Sequence, residues 1–217
     1  MNKRVLLMVA LFLAATMGWA QQDAKAKKIL DEVSAKTKNI TAMSASFIFS
    51  MVNEEMEIDE TNAGTIKIKG QKYTVQLPDL GVKVFSDGKT IWNYMEDGNQ
   101  VTISNIDDEG SELMDPSSLF SIYERGFRSE FVAEKTAEGK SLYQLNLFPD
   151  TDEYDVTKIE VTIDKATMMI YAATLYSTDG NLYGIQVKQM DTNIDLADTD
   201  FIFDASKYDD VEVIDFR

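Results

Sequence analysis

The spacing of hydrophobic side chains changes once near the start of the chain, from a helical period to a period of two. From Ala24 to Lys38, apolar residues recur three and four positions apart, which predicts an amphipathic helix. From Met43 to Met51, apolar residues occupy every odd position while serine fills most even ones. That alternation predicts a β-strand.

Further strands are predicted at short intervals, separated by dipeptides that favour tight turns. Asp87-Gly88, Asp97-Gly98, Glu138-Gly139 and Asp179-Gly180 each supply a glycine that is able to adopt a positive φ. Short strands joined in this way favour an antiparallel meander over a parallel sheet with crossover helices. The predicted strands are Thr65–Lys69, Lys72–Leu77, Val82–Phe85, Thr90–Tyr94, Gln100–Asn105, Ser129–Lys135, Leu142–Phe148, Val156–Asp164, Met168–Ser177 and Leu182–Met190.

A second, shorter helix is predicted in the middle of the chain. Asp115-Pro116 is typical of a helix start, because proline at the first helical position loses no hydrogen bond there, and Gly126 is a suitable end. Two helices cannot cover a sheet of this length on both faces. We therefore predict a mainly β fold with a few helices (α+β), in which the sheet closes or curls with the helices against its concave face.

Several strands are apolar on both faces, which leaves two interpretations open. In Met168–Ser177, Ile170 and Ala172 lie on one predicted face while Tyr171 and Leu175 lie on the other. Apolar strand faces usually indicate a filled core. They also suit a ligand cavity, where flexible methionines adapt to a loosely shaped apolar ligand.

The first residues have the pattern of a secretory signal peptide. Lys3 and Arg4 precede an apolar run from Val5 to Met17, which is too short to span a bilayer, and Gly18-Trp19-Ala20 places small residues just before Gln21. We predict a signal peptide over residues 1–20, cleaved after Ala20, and a single domain over residues 21–217. This organisation predicts an exported protein.

Composition removes several functional classes. The chain has no His and no Cys, so His-based triads, thiolate nucleophiles and Cys or His metal sites are excluded. A net charge of -16 argues against nucleic-acid binding. The acidic segment Asp191–Asp195 resembles the start of a calcium loop, but Leu196 replaces the required glycine and Ile202 the required glutamate. We expect no metal, no cofactor and no enzymatic activity.

Three segments, in order, resemble the outer-membrane lipoprotein carrier family (LolA). They are Ile40–Phe47, Gly64–Lys69 and Val84–Tyr94, of which Ser86-Asp-Gly-Lys-Thr-Ile-Trp92 with Tyr94 is the most specific. The Pro116 helix and the ending Phe201-Ile-Phe203 with Val211-Glu-Val213 are similar to later family segments. The resemblance implies an incomplete antiparallel β-barrel whose concave apolar face is covered by helices that act as a lid.

The same resemblance implies a periplasmic carrier that shelters the acyl chains of lipoproteins between the two membranes. Its implied partners are an inner-membrane lipoprotein-releasing ABC transporter and an outer-membrane acceptor, and we expect a monomer. The alternative is a periplasmic module that senses lipids or lipoproteins on the same half-barrel. A secreted hydrolase acting through two carboxylates has no supporting motif.

Strand alternation together with the resemblance identifies candidate site residues. The acyl-chain-binding residues predicted on the concave face are Phe47, Phe49, Met51, Ile66, Ile68, Tyr73 and Trp92. The predicted lid residues are Leu119, Phe120, Ile122 and Tyr123. One feature departs from the family pattern: its Lys-Arg-Pro motif, whose Arg bonds to the lid, is replaced by Lys69-Gly70-Gln71.

Overall fold

The computed structural model describes residues 23–106, 126–151 and 154–217, which form one helix and a long curved sheet. Helix α1 covers residues 23–37. The strands are β1 (Met43–Asn53), β2 (Ile58–Lys69), β3 (Lys72–Leu77), β4 (Val82–Ser86), β5 (Thr90–Met95), β6 (Gln100–Asn105), β7 (Phe127–Ala137), β8 (Lys140–Pro149), β9 (Val156–Asp164), β10 (Met169–Ser177), β11 (Leu182–Thr192) and β12 (Glu212–Asp215).

All twelve strands belong to one sheet, in the order β12-β6-β5-β4-β3-β2-β1-β11-β10-β9-β8-β7. Strand β1 joins two meanders, because it pairs with β2 on one side and with β11 on the other. Every pairing is antiparallel except that of β12 with β6. The edge strands β12 and β7 do not meet, so the sheet curves without closing. The predicted mainly β, incomplete-barrel fold is confirmed.

Helix α1 packs its apolar stripe on one face of the sheet, which we call the inner face. Ala26, Ile29, Leu30 and Val33 are buried in a cluster with residues of β7, β8 and β9. A four-turn helix is only marginally stable in isolation. Full burial of a leucine or isoleucine side chain contributes roughly 1.5–3 kcal/mol and compensates for that low stability. Packing against the sheet therefore holds α1 in place.

The C-terminal segment, residues 193–211, runs along the opposite or outer face. Phe203 and Tyr208 pack with Tyr94 and Val101. The ring centroids of Phe203 and Tyr208 lie 4.6 Å apart. The Thr74 hydroxyl donates a hydrogen bond to the Asp200 carbonyl over a distance of 2.6 Å. The segment ends in β12, whose pairing with β6 extends the sheet by one strand.

Most predicted strand ends agree with the structure within two residues, but three local predictions differ more. Strand β2 begins at Ile58 rather than Thr65, because its first half is polar and exposed and shows no apolar alternation. Strand β12 was not predicted, since its partner β6 lies about a hundred residues earlier. In the turn between β5 and β6, Asn99 rather than Gly98 adopts the left-handed conformation, with a φ of 43°.

Candidate functional site: the apolar inner face

The inner face continues without interruption from beneath α1 to the centre of the sheet. Residues that pair directly across neighbouring strands project from the same face. The register links Leu145 to Val161, Val161 to Ala173, Ala173 to Ile185 and Ile185 to Phe49. Because Leu145 packs with α1, Phe49 on β1 projects from the same face as the helix.

Six of the seven predicted acyl-chain-binding residues share this inner face. Phe47, Phe49 and Met51 lie at alternate positions of β1. Ile66 pairs with Ala45, Ile68 with Met43, and Tyr73 with Ile68, which places all three on the same side. Their common placement agrees with the predicted apolar surface. Their role in binding an acyl chain stays a prediction.

The expectation that Trp92 joins these residues is wrong. Trp92 pairs with Phe85 and Ile103, whereas its neighbours Ile91 and Asn93 pair with inner-face residues of β4. Trp92 lies on the outer face and packs against the cluster that contains Phe203. Both Ile91 and Trp92 are large and apolar, so alternation alone does not decide which of them points inward.

The register adds inner-face residues that the sequence interpretation omitted. They belong to strands whose bounds were predicted, so only the pairing between strands was missing. Val75 pairs with Ile66 and with Val84, and Tyr183 pairs with both Met51 and Leu175. The omitted residues include Val75, Leu77, Val82, Val84, Leu175, Tyr183, Ile185, Val187 and Met190.

Burial divides the inner face into two regions. Beneath α1, in what we call the α1-covered region (β7–β10), Leu145 and Ile163 are 0% exposed. In the central region (β1–β4 and β11), Phe49, Ile66 and Ile185 are only half-buried. The hydrophobic cluster of the central region consists of strand residues and Ile40, with no residue of α1. The inner face thus has its most completely buried residues beneath α1, whereas the central region combines buried residues such as Met43 and Tyr73 with half-buried ones.

The turns at one end of the sheet are strongly acidic. Antiparallel pairing brings five connections to this end: 54–57, 78–81, 96–99, 150–155 and 178–181. Their described residues include no Lys or Arg, and the anionic charge of this rim repels anionic lipid headgroups. The acidic residues are Glu54, Glu55, Glu57, Asp79, Glu96, Asp97, Asp150, Asp155 and Asp179.

No group of three or more potential metal-ligating side chains occurs within the described ranges. In the calcium-loop-like segment, the Asn193 side chain already has a hydrogen-bond partner, since its Oδ1 accepts a hydrogen bond from the Thr41 amide at 3.2 Å. Asn193 itself has a φ of 56°, which asparagine tolerates better than most residues. The segment acts as a turn after β11.

Comparison with known families decides the classification. A family model described as "Outer membrane lipoprotein carrier protein LolA" matches residues 38–204, which include every strand except β12. The chain belongs to the LolA family. The resemblance predicted from the sequence is thereby confirmed. No curated protein sequence matches the chain.

Solved structures that resemble this chain in fold have low sequence identity to it. An uncharacterized conserved protein from Thermus thermophilus is 14% identical, with a TM-score of 0.59, covering 88% of this chain and 99% of that one. A putative outer membrane lipoprotein-sorting protein domain from Vibrio parahaemolyticus is 15% identical, with a TM-score of 0.48 and coverages of 82% and 97%. A LolA superfamily protein from Nitrosomonas europaea is 12% identical, with a TM-score of 0.43 and coverages of 82% and 97%.

Where the family pattern has its Lys-Arg-Pro motif, this chain has Lys69-Gly70-Gln71, and Lys69 makes a different interaction. Lys69 Nζ lies 2.8 Å from the Leu196 carbonyl and 2.9 Å from Asp198 Oδ1. Lys72 also pairs with Asp198. The hydrogen bond from Lys69, followed in size of effect by that from Lys72, holds the pKa of the Asp198 carboxyl below its usual range. The cation that precedes Gly70 therefore binds the C-terminal segment on the outer face.

Two predicted features of this LolA-family chain lie outside the described residues. They are the lid residues Leu119, Phe120, Ile122 and Tyr123, and the signal peptide over residues 1–20. Within the described part of the chain, α1 is neither long nor apolar enough to span a bilayer.

Proposed function

We propose that this protein is a non-catalytic periplasmic carrier that shelters the acyl chains of lipoproteins in transit from the inner to the outer membrane. Membership of the LolA family supports this function. The observation that carries it is the half-buried apolar surface of the central region, which includes Phe49, Ile66, Val75 and Ile185. In this proposal an inner-membrane ABC transporter supplies the cargo and an outer-membrane acceptor receives it.

The chemistry of the central region suits an acyl chain. Each methylene that leaves water gains about 0.8 kcal/mol, so apolar contacts suffice to hold a chain of ordinary length. Such contacts are non-directional, and release to an acceptor breaks no network of hydrogen bonds. Met51 and Met190 add unbranched, flexible side chains that adjust to a loosely shaped ligand.

Displacement of a fluorescent fatty-acid probe tests the proposed ligand class. The probe should bind the purified protein and be displaced by a lipidated peptide but not by the same peptide without its lipid. Equal displacement by both peptides would contradict an acyl-chain carrier.

A pair of adjacent substitutions on β2 tests the location of binding. Ile66→Asn places an amide on the inner face, whereas Thr65→Asn places it on the outer face of the same strand. Probe affinity should fall in the first variant and stay unchanged in the second. If Thr65→Asn weakens binding as much as Ile66→Asn, the ligand does not occupy the central region.

Export and cargo are tested on the protein from its native compartment. The mass of the exported protein should correspond to a chain that begins at Gln21, and lipidated proteins should co-purify with it. Transfer of that cargo to outer-membrane vesicles distinguishes a carrier from a lipid-sensing module, which would bind lipoproteins without delivering them.

A further inference from the structure

Gly64 on β2 is closely covered by two inner-face side chains. It pairs with Phe47 on β1, and a Cβ atom added at Gly64 would lie 2.5 Å from Phe47 Cζ and 2.8 Å from Leu77 Cδ2. Real Cβ atoms essentially never approach other heavy atoms so closely. The Phe47 ring therefore lies low across the backbone of β2, in a notch that exists only because residue 64 has no side chain.

Backbone conformation does not require glycine at this position. Gly64 is absent from the residues with positive φ, and it lies inside a regular strand. Glycine inside a strand costs stability and usually marks a close approach of another group. Here the approaching group is the Phe47 ring, which is 8% exposed.

The notch lies midway along the central region. On β1, Met43 and Ala45 lie on one side of Phe47, and Phe49 and Met51 lie on the other. A raised ring at this point would divide the apolar surface into two shorter pieces. A long acyl chain lying along β1 would have to cross the raised ring, whereas a short chain would fit within one piece.

We propose that Gly64, by letting Phe47 lie flat, determines the length of acyl chain that the inner face accepts. This inference rests on the proposed function, since it assumes that the central region binds acyl chains. Gly64 acts as a specificity-determining residue, and it makes no polar contact with the cargo. Filling the notch should reduce the affinity for long chains more than for short chains.

Gly64→Ala tests the proposal, with Gly184→Ala as the matched control. Gly184 lies on β11, on the other side of β1, and a Cβ there would collide with the Ser50 hydroxyl on the outer face. Displacement of the fluorescent fatty-acid probe is measured with saturated fatty acids of about 10 and about 16 carbons, a difference of several methylenes. In Gly64→Ala, the affinity ratio of the longer to the shorter acid should fall on the order of tenfold. In Gly184→Ala, the ratio should remain that of the wild type.

Two variants at Phe47 identify the ring as the cause. In Gly64→Ala with Phe47→Leu, the smaller side chain makes room for the new Cβ, and the flexible end of the Leu77 side chain can turn away from it, so the wild-type ratio should return. Phe47→Trp alone, with Gly64 intact, places a larger ring over the same notch and should lower the ratio as Gly64→Ala does. This second variant keeps the proposal testable if Gly64→Ala does not fold.

The outcomes separate this inference from the proposed function. If the wild-type protein binds neither fatty acid, the carrier function itself fails. If it binds both, and Gly64→Ala and Gly184→Ala have the same ratio, the notch does not select chain length. Failure of Phe47→Leu to restore the ratio would likewise overturn the role assigned to the ring.

Discussion

The α1-covered region and the central region are two parts of one sheet face, yet they are packed to different degrees. Ile163 on β9 and Ile185 on β11 project from the same face, two strands apart. Ile163 is 0% exposed because α1 and neighbouring strands enclose it, whereas Ile185 is half-buried. The strand pattern is alike in both regions, so among the described residues the cover that α1 provides accounts for the closed core on one side and the half-buried apolar surface on the other.

Under the proposed function, this difference gives similar residues different tasks. In the α1-covered region, apolar side chains already contact one another, and their burial stabilises the fold. In the central region, part of the apolar surface remains unburied, and a ligand that covers it gains the corresponding free energy. A matched substitution in each region should therefore change stability in one and binding in the other.

The largest expected effect is on stability, from Ile163→Ala. Removing a fully buried isoleucine side chain leaves a cavity in close-packed surroundings and should lower the free energy of unfolding by about 2–5 kcal/mol. Urea denaturation followed by circular dichroism measures this change. A loss below about 1 kcal/mol would mean that the α1-covered region is not tightly packed.

A smaller effect on stability but a clear effect on binding is expected from Ile185→Ala. Because the side chain is half-buried, the free energy of unfolding should fall by about 1 kcal/mol. Affinity for the fluorescent fatty-acid probe should fall about threefold to tenfold, since apolar contact with the ligand is lost.

Thr174→Ala on the outer face of the adjacent strand β10 is the control, and it should leave probe affinity unchanged. If Ile185→Ala instead destabilises the fold as much as Ile163→Ala does, the two regions do not differ in the way that their burial indicates.

The sequence was sufficient for the elements whose pattern is local. The helical period of Ala26, Ile29, Leu30 and Val33 predicted α1 and its buried stripe. The bounds of Lys72–Leu77, Gln100–Asn105 and Val156–Asp164 are those predicted, because each apolar run ends at turn-forming residues.

Features that depend on distant contacts were not predictable in this way. The face of Trp92 depends on its pairing with Phe85 and Ile103, and β12 depends on a partner about a hundred residues earlier. The close contact of Gly64 with Phe47 also requires the register between β1 and β2. Period and composition predict which strands exist, whereas pairing decides which side chains share a surface.

The smallest expected effect concerns the ion pairs that hold α1 at the sheet edge. Glu134 on β7 pairs with Lys25 of α1 at 2.9 Å and with Lys165 at 2.7 Å, and Lys25 lies 3.7 Å from the centre of the Phe131 ring. Hydrogen bonds from Lys165 and then Lys25 lower the pKa of Glu134 from 4.5 to about 2. These groups are solvent-exposed, so the contribution to stability is small.

The pH dependence follows from the direction of that shift. Because folding lowers the pKa of Glu134, its stabilising contribution is complete above pH 4.5 and is lost as the pH falls towards 2. Glu134→Gln should therefore lower the free energy of unfolding near neutral pH, and its difference from the wild type should shrink below pH 4.5. Urea denaturation at about pH 7 and about pH 3 measures the difference in the free energy of unfolding between variant and wild type at each pH. Glu130→Gln on the same strand is the control for net charge. If the two variants behave alike at both pH values, the pairing of Glu134 with Lys25 does not help to hold α1 over its region of the inner face.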